Sequence, residues 1–321
     1  MPRSLIICVL VGLCILAGSM LLSWHDLQTH ANAAAAAAAA TRPAPDTRVD
    51  YQPGKAIGEL FNEFIDESSG LAAGRANKNV LWTHNDSGDK PQVFAINHAG
   101  ADLATVKITG ASARDWEDMC SFSIGRKSFL MLADVGDNAV RRRFCTLYVL
   151  PEPRLNLAKR GDKLTVPAAM TINFKYEDGA HNCESLAVDA STKTIYLVSK
   201  CRPPACKVYA MALPANSPNK PLVAKAVALL MIPTTTAMDI SSDGLRAVVG
   251  TYGHAYEYVR RADETWAHGF SRPPRKIELP YRSQGESICY GPDGKTLFLT
   301  SENLPVPLIR LSPKSPTTRS K

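Results

Sequence analysis

The sequence predicts an all-β fold made of repeated small sheets, and three observations lead to this prediction. Between residues 51 and 315 the chain carries short β-rich runs separated by Gly, Pro, Asn and Asp, with almost no helical periodicity. The runs recur in units of roughly 50 residues, and each unit opens on a similar short motif. Such a repeat is typical of a propeller blade, because radial stacking buries both faces of a small sheet. We therefore predict a five-bladed β-propeller, with a sixth, degenerate blade as the alternative.

The five units are aligned by their most apolar runs, which are typical of strands covered on both faces. These runs span residues 80–83, 129–132, 194–198, 247–250 and 296–300. Each run is preceded by an opening motif in which a polar residue leads into an apolar strand. The openings start at Ser69, Glu117, Glu184, Met238 and Glu286.

The ends of the chain are predicted to lie outside this fold. Arg3 precedes an uncharged apolar stretch, and Ala31-Asn32-Ala33 fits the small-x-small pattern of a signal-peptide cleavage site. The stretch is also long enough to cross a bilayer, so we interpret residues 1–33 as a signal peptide or a membrane anchor. Residues 34–50 read as a low-complexity Ala/Pro linker and residues 316–321 as a disordered tail. The protein is therefore expected to be exported, as a secreted, periplasmic or cell-surface protein.

The charge of the chain narrows the classes of partner. The formal net charge is +7, but the lysines and arginines are scattered and no segment resembles a nucleic-acid-binding module. We expect no nucleic-acid partner, a membrane contact only through the N-terminal segment, and a monomer.

The predicted folded part contains six of the eight cysteines of the chain, and an even number in an exported chain favours disulfides. They are Cys120, Cys145, Cys183, Cys201, Cys206 and Cys289. Antiparallel pairing across a turn at residues 189–191 places Cys183 opposite Lys200 or Cys201. This predicts a Cys183–Cys201 disulfide, with Cys201–Cys206 as its rival.

The opening motifs predict a metal site on the channel axis. The innermost strand of each blade runs along the channel, so equivalent positions form a ring, and carboxylates gathered there repel one another unless a cation, a proton or N–H donors compensate. An oxygen-only donor set suits a hard cation, Ca²⁺ before Mg²⁺. The predicted ligands are Ser69, Glu117, Glu184, Asp239 and Glu286. The alternative is that the glutamates bond backbone N–H groups where strands begin.

The loops after the apolar runs predict a second ring, at one mouth of the channel. Its members include Asp86, Asp134, Lys200 and Glu302. Asp86 or Asp134 would orient or deprotonate a water, and Lys200 would hold phosphate oxygens, so an anionic substrate fits this mouth. The alternative is turn chemistry, in which each aspartate bonds its own backbone.

Several motifs together resemble a set of exported propeller proteins with loose phytase-like or WD40-like labels. They are residues 67–71 (ESSGL), 81–89 (LWTHNDSGD), 115–118 (DWED), 184–186 (ESL), 239–244 (DISSDG) and 284–287 (QGES). More distantly, the layout is similar to the soluble calcium-activated nucleotidases of the apyrase family. That resemblance implies one axial Ca²⁺ held by a Ser/Glu ring. Ser69, Glu117, Glu184 and Glu286 match the ring, whereas Met238 stands where the family has a hydroxyl and Lys200 alone stands for its basic pair.

Two functions follow as expectations. The first is an exported calcium-dependent hydrolase of phosphoester or nucleotide substrates. The alternative is a non-catalytic propeller that binds a ligand or a protein and keeps its axial metal for structure.

Overall fold

The computed structural model describes residues 49–201, 205–232 and 234–315, which form an all-β structure. The predicted signal or anchor, nearly all of the linker and the C-terminal tail lie outside the described residues. Within those residues, no helix is long and apolar enough to cross a membrane.

The described residues contain 21 strands and one short helix. The first eleven strands are β1 (Lys55–Glu59), β2 (Ser68–Ala73), β3 (Val80–Asn85), β4 (Gln92–Asn97), β5 (Asp102–Thr109), β6 (Trp116–Ile124), β7 (Lys127–Asp134), β8 (Cys145–Pro151), β9 (Asp162–Pro167), β10 (Met170–Tyr176) and β11 (Cys183–Asp189). The others are β12 (Thr194–Ser199), β13 (Cys206–Ala212), β14 (Leu222–Leu230), β15 (Thr235–Ile240), β16 (Arg246–Thr251), β17 (His254–Val259), the helix α1 (Trp266–Phe270), β18 (Arg275–Glu278), β19 (Ile288–Tyr290), β20 (Leu297–Leu299) and β21 (Pro307–Leu311).

These strands form four sheets. Two follow chain order, β2-β3-β4-β5-β9 and β15-β16-β17-β18, and a third, β1-β21-β20-β19, joins the first strand to the last three. The fourth has eight strands in the order β11-β12-β13-β14-β10-β8-β7-β6. It is continuous because β10 and β14 pair in parallel, and β9 similarly adds to β5 in parallel. The predicted apolar runs lie in β3, β7, β12, β16 and β20.

The strands that begin successive repeats pack against one another. β2 contacts β6, β6 contacts β11, β11 contacts β15, β15 contacts β19, and β19 contacts β2 again. Apolar clusters fill the spaces between neighbouring sheets. This closed cycle of contacts brings equivalent residues of the repeats toward one another.

Asp-Gly turns set the ends of two hairpins, at residues 242–244 and 292–294. Gly244 and Gly294 adopt φ values of 69° and 62°, which favour glycine. Asp243 accepts the backbone N–H of Leu245, and Asp293 accepts that of Lys295. Each aspartate therefore holds its turn closed through its own backbone.

A buried carboxylate links three of the inner strands. Asp118 on β6 has no exposed surface and accepts the N–H groups of Met119 at 2.8 Å, Leu186 at 2.7 Å and Met238 at 3.1 Å. Asp239 similarly joins β15 to β19 by accepting the N–H of Tyr290 at 2.8 Å. Because buried N–H groups are costly without acceptors, these carboxylates hold neighbouring repeats in register.

The predicted disulfides are absent from the structure, in which all six cysteines of the described residues are free thiols. An irregularity in the β11–β12 ladder pairs Cys183 with Ser199, so Cys201 lies two residues past the pair. The Cys183 thiol instead points to the carbonyl of Val198, at 3.3 Å. The buried Cys206 thiol faces the carbonyl of Ile232, at 3.6 Å, so the rival pairing is also not formed.

Asp118→Ala should destabilise the protein strongly, because three buried N–H groups lose their acceptor. We expect a loss of about 3–5 kcal/mol in the free energy of unfolding, measured by urea denaturation. Asp162→Ala is the control, since Asp162 is only half-buried and its side-chain bond among the described residues is to the adjacent Lys163 N–H, and it should change stability by less than about 1 kcal/mol. Equal stabilities of the two variants would show that Asp118 does not hold the repeats together.

Candidate functional site

The candidate site is built where the inner strands begin, at β-bulges that recur in the repeats. The ladder shifts register at Ser69 in β2, at Glu117 in β6, across Glu184 in β11 and at Thr236 in β15. Glu286 stands just before β19. A bulge frees a residue from the ladder and redirects its side chain, which suits a position that faces a site.

These equivalent positions, one from each repeat, are called the ring below. Its fifth member is Thr236, which the sequence alignment of the repeats missed. That alignment used Met238 and Asp239, but Met238 packs in an apolar cluster and Asp239 is bonded to backbone N–H groups. The spacing to the Asp-Gly turns would have identified Thr236 from the sequence. Glu286 stands eight residues before Gly294, and Thr236 stands eight residues before Gly244.

The two hydroxyls of the ring bond to the neighbouring inner strand. Ser69 donates to the carbonyl of Glu117 at 2.7 Å, and Thr236 donates to the carbonyl of Gly285 at 3.0 Å. Both residues are buried. The ring thus ties β2 to β6 and β15 to the segment before β19.

Four buried glutamates converge at the same place. They are Glu117, Glu184, Glu286 and Glu302. Gln284 donates its amide to both Glu286, at 3.1 Å, and Glu302. Glu184 accepts from the ammonium of Lys200 and, at 3.1 Å, from the amide of Asn182. Glu302 was predicted at the mouth, and the structure brings it beside the ring.

Two aspartates complete the acidic cluster. Asp86, Asp115 and Glu117 each offer a carboxylate oxygen, and these atoms lie within 4.8 Å of one another. The Oδ1 of Asp86 is buried and has no hydrogen-bond partner among the described residues. Gly136 closes this group, since a Cβ there would lie 2.2 Å from Oε1 of Glu117. The backbone at 136 therefore lies directly against the carboxylates, and a larger residue there would displace the side chains of Glu117 and Asp115.

The carboxylates of the cluster are only partly compensated by cationic side chains. Burial, and then the charges of Glu184 and Asp86, raise the pKa of Glu117. Burial raises the pKa of Asp86 to about 6 and, with Glu286 nearby, that of Glu302 to about 8. Burial also raises the pKa of Glu184 and Glu286, although Lys200 opposes the shift. The raised pKa values mean that this cluster of carboxylates binds protons, or a metal cation in their place, more readily than exposed carboxylates do.

Two of the residues predicted for catalysis are held in ion pairs. Lys200 donates to Glu184 and, at 2.7 Å, to the hydroxyl of Tyr252. Asp134 accepts from Arg142 at 2.7 Å, and both side chains are almost fully buried. Of the predicted mouth residues, Asp86 and Glu302 lie with the acidic cluster, whereas Asp134 is bound to arginine.

Arg282 supports the ring from within. It is buried and donates to the carbonyls of Ser287, Thr300 and Thr251 at 3.0–3.3 Å. Burial lowers its pKa to about 10, and the nearby Glu286 opposes that shift. Gly285 packs on it, since a Cβ would lie 2.3 Å from the guanidinium carbon. Arg282 thereby fixes the backbone that carries Glu286.

Comparison with known proteins yields a fold likeness. No family model matches the chain, and no curated protein matches it. The crystal structure of the major Malassezia sympodialis allergen Mala s 1 is similar with a TM-score of 0.51 and 12% identity, covering 79% of this chain and 95% of that one. At this identity the likeness concerns the fold alone, which is propeller-like.

The metal-free protein should become less stable as the pH rises from about 5 to about 8.5. Carboxyls whose pKa is raised by folding stabilise the protein fully below their unfolded pKa, and this stability is lost as the pH passes their folded pKa. Asp86 and Glu302, with pKa values of about 6 and about 8, lie in this window. Thermal melts in a chelating buffer will measure the effect. Glu302→Gln should flatten the upper part of the profile, and an unchanged profile in that variant would contradict the assignment.

Proposed function

We propose that this chain is a five-bladed β-propeller that binds a divalent cation, Ca²⁺, where its inner strands begin. The closed cycle of contacts among β2, β6, β11, β15 and β19 supports five blades. In this interpretation the eight-stranded sheet is two blades joined along β10 and β14. The strand β1 completes the last blade by pairing with β21.

The observation that carries the cation proposal is the excess of anionic oxygen at the ring. Six carboxylates meet there, from Asp86, Asp115, Glu117, Glu184, Glu286 and Glu302. Lys200 neutralises Glu184, and Arg142 and Arg114 oppose the effect of burial on the pKa of Asp115. Arg282 donates to three backbone carbonyls. Carboxylates held this close, and outnumbering the cationic side chains beside them, favour a bound divalent ion.

The donor chemistry supports calcium over softer metals. Asp86, Asp115 and Glu117 would hold the ion, with Glu184 and Glu286 near enough to add to its field. All these donors are oxygen atoms, which hard cations prefer. The unpartnered Oδ1 of Asp86 and the glycine at 136 fit such an ion. When bound, the ion would supply positive charge that links two repeats.

Export of the protein belongs to the same proposal. It is supported by the apolar N-terminal segment and the Ala31-Asn32-Ala33 pattern. Calcium is abundant outside cells, where a site of modest affinity is filled.

Calcium should stabilise the folded protein, and Glu117→Gln should remove the effect. A ligand that binds only the folded state adds about 2.7 kcal/mol at a free concentration of about 100 times its Kd. We expect Glu117→Gln to weaken binding by at least about tenfold in isothermal titration calorimetry. Glu257→Gln is the matched control, because Glu257 is also a buried glutamate but bonds Tyr51 and Tyr290 instead. The proposal fails if calcium neither binds nor raises the melting temperature.

Phosphoester hydrolysis is the second candidate function, and Asp86 is the observation that favours it. In this alternative Asp115 and Glu117 would hold the ion and Asp86 would stay outside its coordination. A buried carboxylate with an unpartnered oxygen and a pKa raised to about 6 in the ion-free protein is suited to accept a proton from water near neutral pH. Of the other predicted catalytic groups, Asp134 is paired with Arg142 and Lys200 with Glu184, whereas Glu302 accepts from Gln284 and is in no ion pair among the described residues.

A turnover assay with nitrophenyl phosphate and with nucleotides tests this candidate at saturating calcium. Asp86→Asn should lower kcat by roughly 100-fold or more, because the proton acceptor is lost. Asp89→Asn, in the same loop, should leave kcat nearly unchanged. Chelator-sensitive turnover that survives Asp86→Asn would exclude Asp86 as the base, and a lack of turnover in the wild type would favour the binding function.

A further inference from the structure

The eight-stranded sheet encloses a space that the predicted propeller did not anticipate. Its edge strands β6 and β11 contact each other, and the parallel pair β10–β14 closes the outer side. The sheet is therefore nearly closed, like a small barrel. Side chains that fill its interior include Met131, Leu147, Ile172, Phe174, Leu197 and Met211.

These apolar side chains do not fill one end of the barrel. There a cavity of about 400 Å³ opens between the two halves of the sheet, lined on one side by Phe122, Phe129 and Met170 and on the other by Leu213 and Ala215. Phe122 is near the end of β6, whereas Glu117 is at its start, so the cavity and the acidic cluster lie at opposite ends of the strand. Mouths of eight-stranded barrels are places where small ligands bind.

The cavity has an apolar wall and one charge. Phe122 and Phe129 stack with their ring centroids 5.5 Å apart and their planes 22° from parallel, which makes a flat side. Lys193 is the one charged residue among the described residues that line the cavity. Its backbone has a φ of 51°, unusual for a residue with a side chain, and its carbonyl accepts the N–H of Leu213 at 2.8 Å. The backbone of Lys193 is thus held at the rim, while its side chain is exposed.

We propose that this barrel mouth binds a small organic monocarboxylate with an apolar body. The cavity volume lies in the range of small-molecule sites. The apolar body would cover Phe129 and Met170, which are only partly buried, and the carboxylate would meet the ammonium of Lys193. The absence of an acidic side chain from the described lining favours an anion at the rim over a cation. This site does not depend on the calcium proposal.

Displacement of the fluorescent probe anilinonaphthalene sulfonate by decanoate and by decanol tests the proposal. The two competitors share a chain length, and decanoate adds the charge. We expect decanoate to compete roughly tenfold better than decanol, as a charged hydrogen bond implies. Lys193→Gln should abolish that difference while decanol still competes. Lys295→Gln is the control, because Lys295 is exposed in the hairpin between β19 and β20 and is absent from the cavity lining, so this variant should keep the difference.

A cavity-filling variant tests the location. Ala215→Trp, in a loop at the cavity, should weaken probe and decanoate binding by at least roughly tenfold. Ala158→Trp is the control, since Ala158 is equally exposed in a loop away from the lining. Equal competition by decanoate and decanol in the wild type overturns the charge assignment, and unchanged binding in Ala215→Trp overturns the site. Sedimentation that shows dimers blocked by Ala215→Trp would identify a second copy as the occupant and also overturn the proposal.

Discussion

Small sheets in this protein cannot bury both of their faces alone, so the inner strands must pack against one another. Each of β2, β6, β11, β15 and β19 contacts the next, and the last returns to the first. This packing is largely apolar between the sheets but polar where the inner strands begin. The closed cycle of strands is the constraint from which the other features follow, because it forces equivalent residues of every repeat toward one region.

This packing buries two groups of acidic side chains, one that holds neighbouring strands in register and one that leaves negative charge without donors. Asp118 and Asp239 use their carboxylates to satisfy N–H groups on neighbouring inner strands, so their burial is compensated by hydrogen bonds. Burial raises the pKa of all four carboxyls, to about 6 for both Asp239 and Asp86, so the pKa does not distinguish the pairs. The difference lies in the donors, because Glu117 and Asp86 have no comparable set of N–H groups among the described residues. One group of buried acids thus stabilises the fold directly, whereas the other needs a counter-charge. This contrast separates a structural role from a candidate binding role within one pattern of acidic residues.

The second and third repeats are joined into one eight-stranded sheet, and this sheet encloses the second candidate site. Parallel pairing of β10 with β14 joins two repeats into one sheet and closes the outer side of the space between them, whereas the parallel pair β5–β9 adds one strand to the first sheet without joining it to another. The enclosed space is filled by apolar side chains except at the end next to Lys193. The acidic cluster and the apolar cavity lie at opposite ends of β6, so their occupants would not compete for space.

The sequence by itself determined the all-β class, the five most apolar strands and the Asp-Gly turns, because period, apolar runs and turn residues are local properties. It also singled out Glu117, Glu184 and Glu286 as equivalent positions, since the opening motifs, in which a polar residue leads into an apolar strand, repeat along the sequence. Only the tertiary structure decided that Thr236 occupies that position in β15, because a bulge shifts the register by an amount that local patterns do not reveal. The same shift in β11 moved Cys183 away from Cys201. The partners of Lys200 and Asp134, and the parallel join of β10 to β14, likewise depend on contacts between residues far apart in the chain.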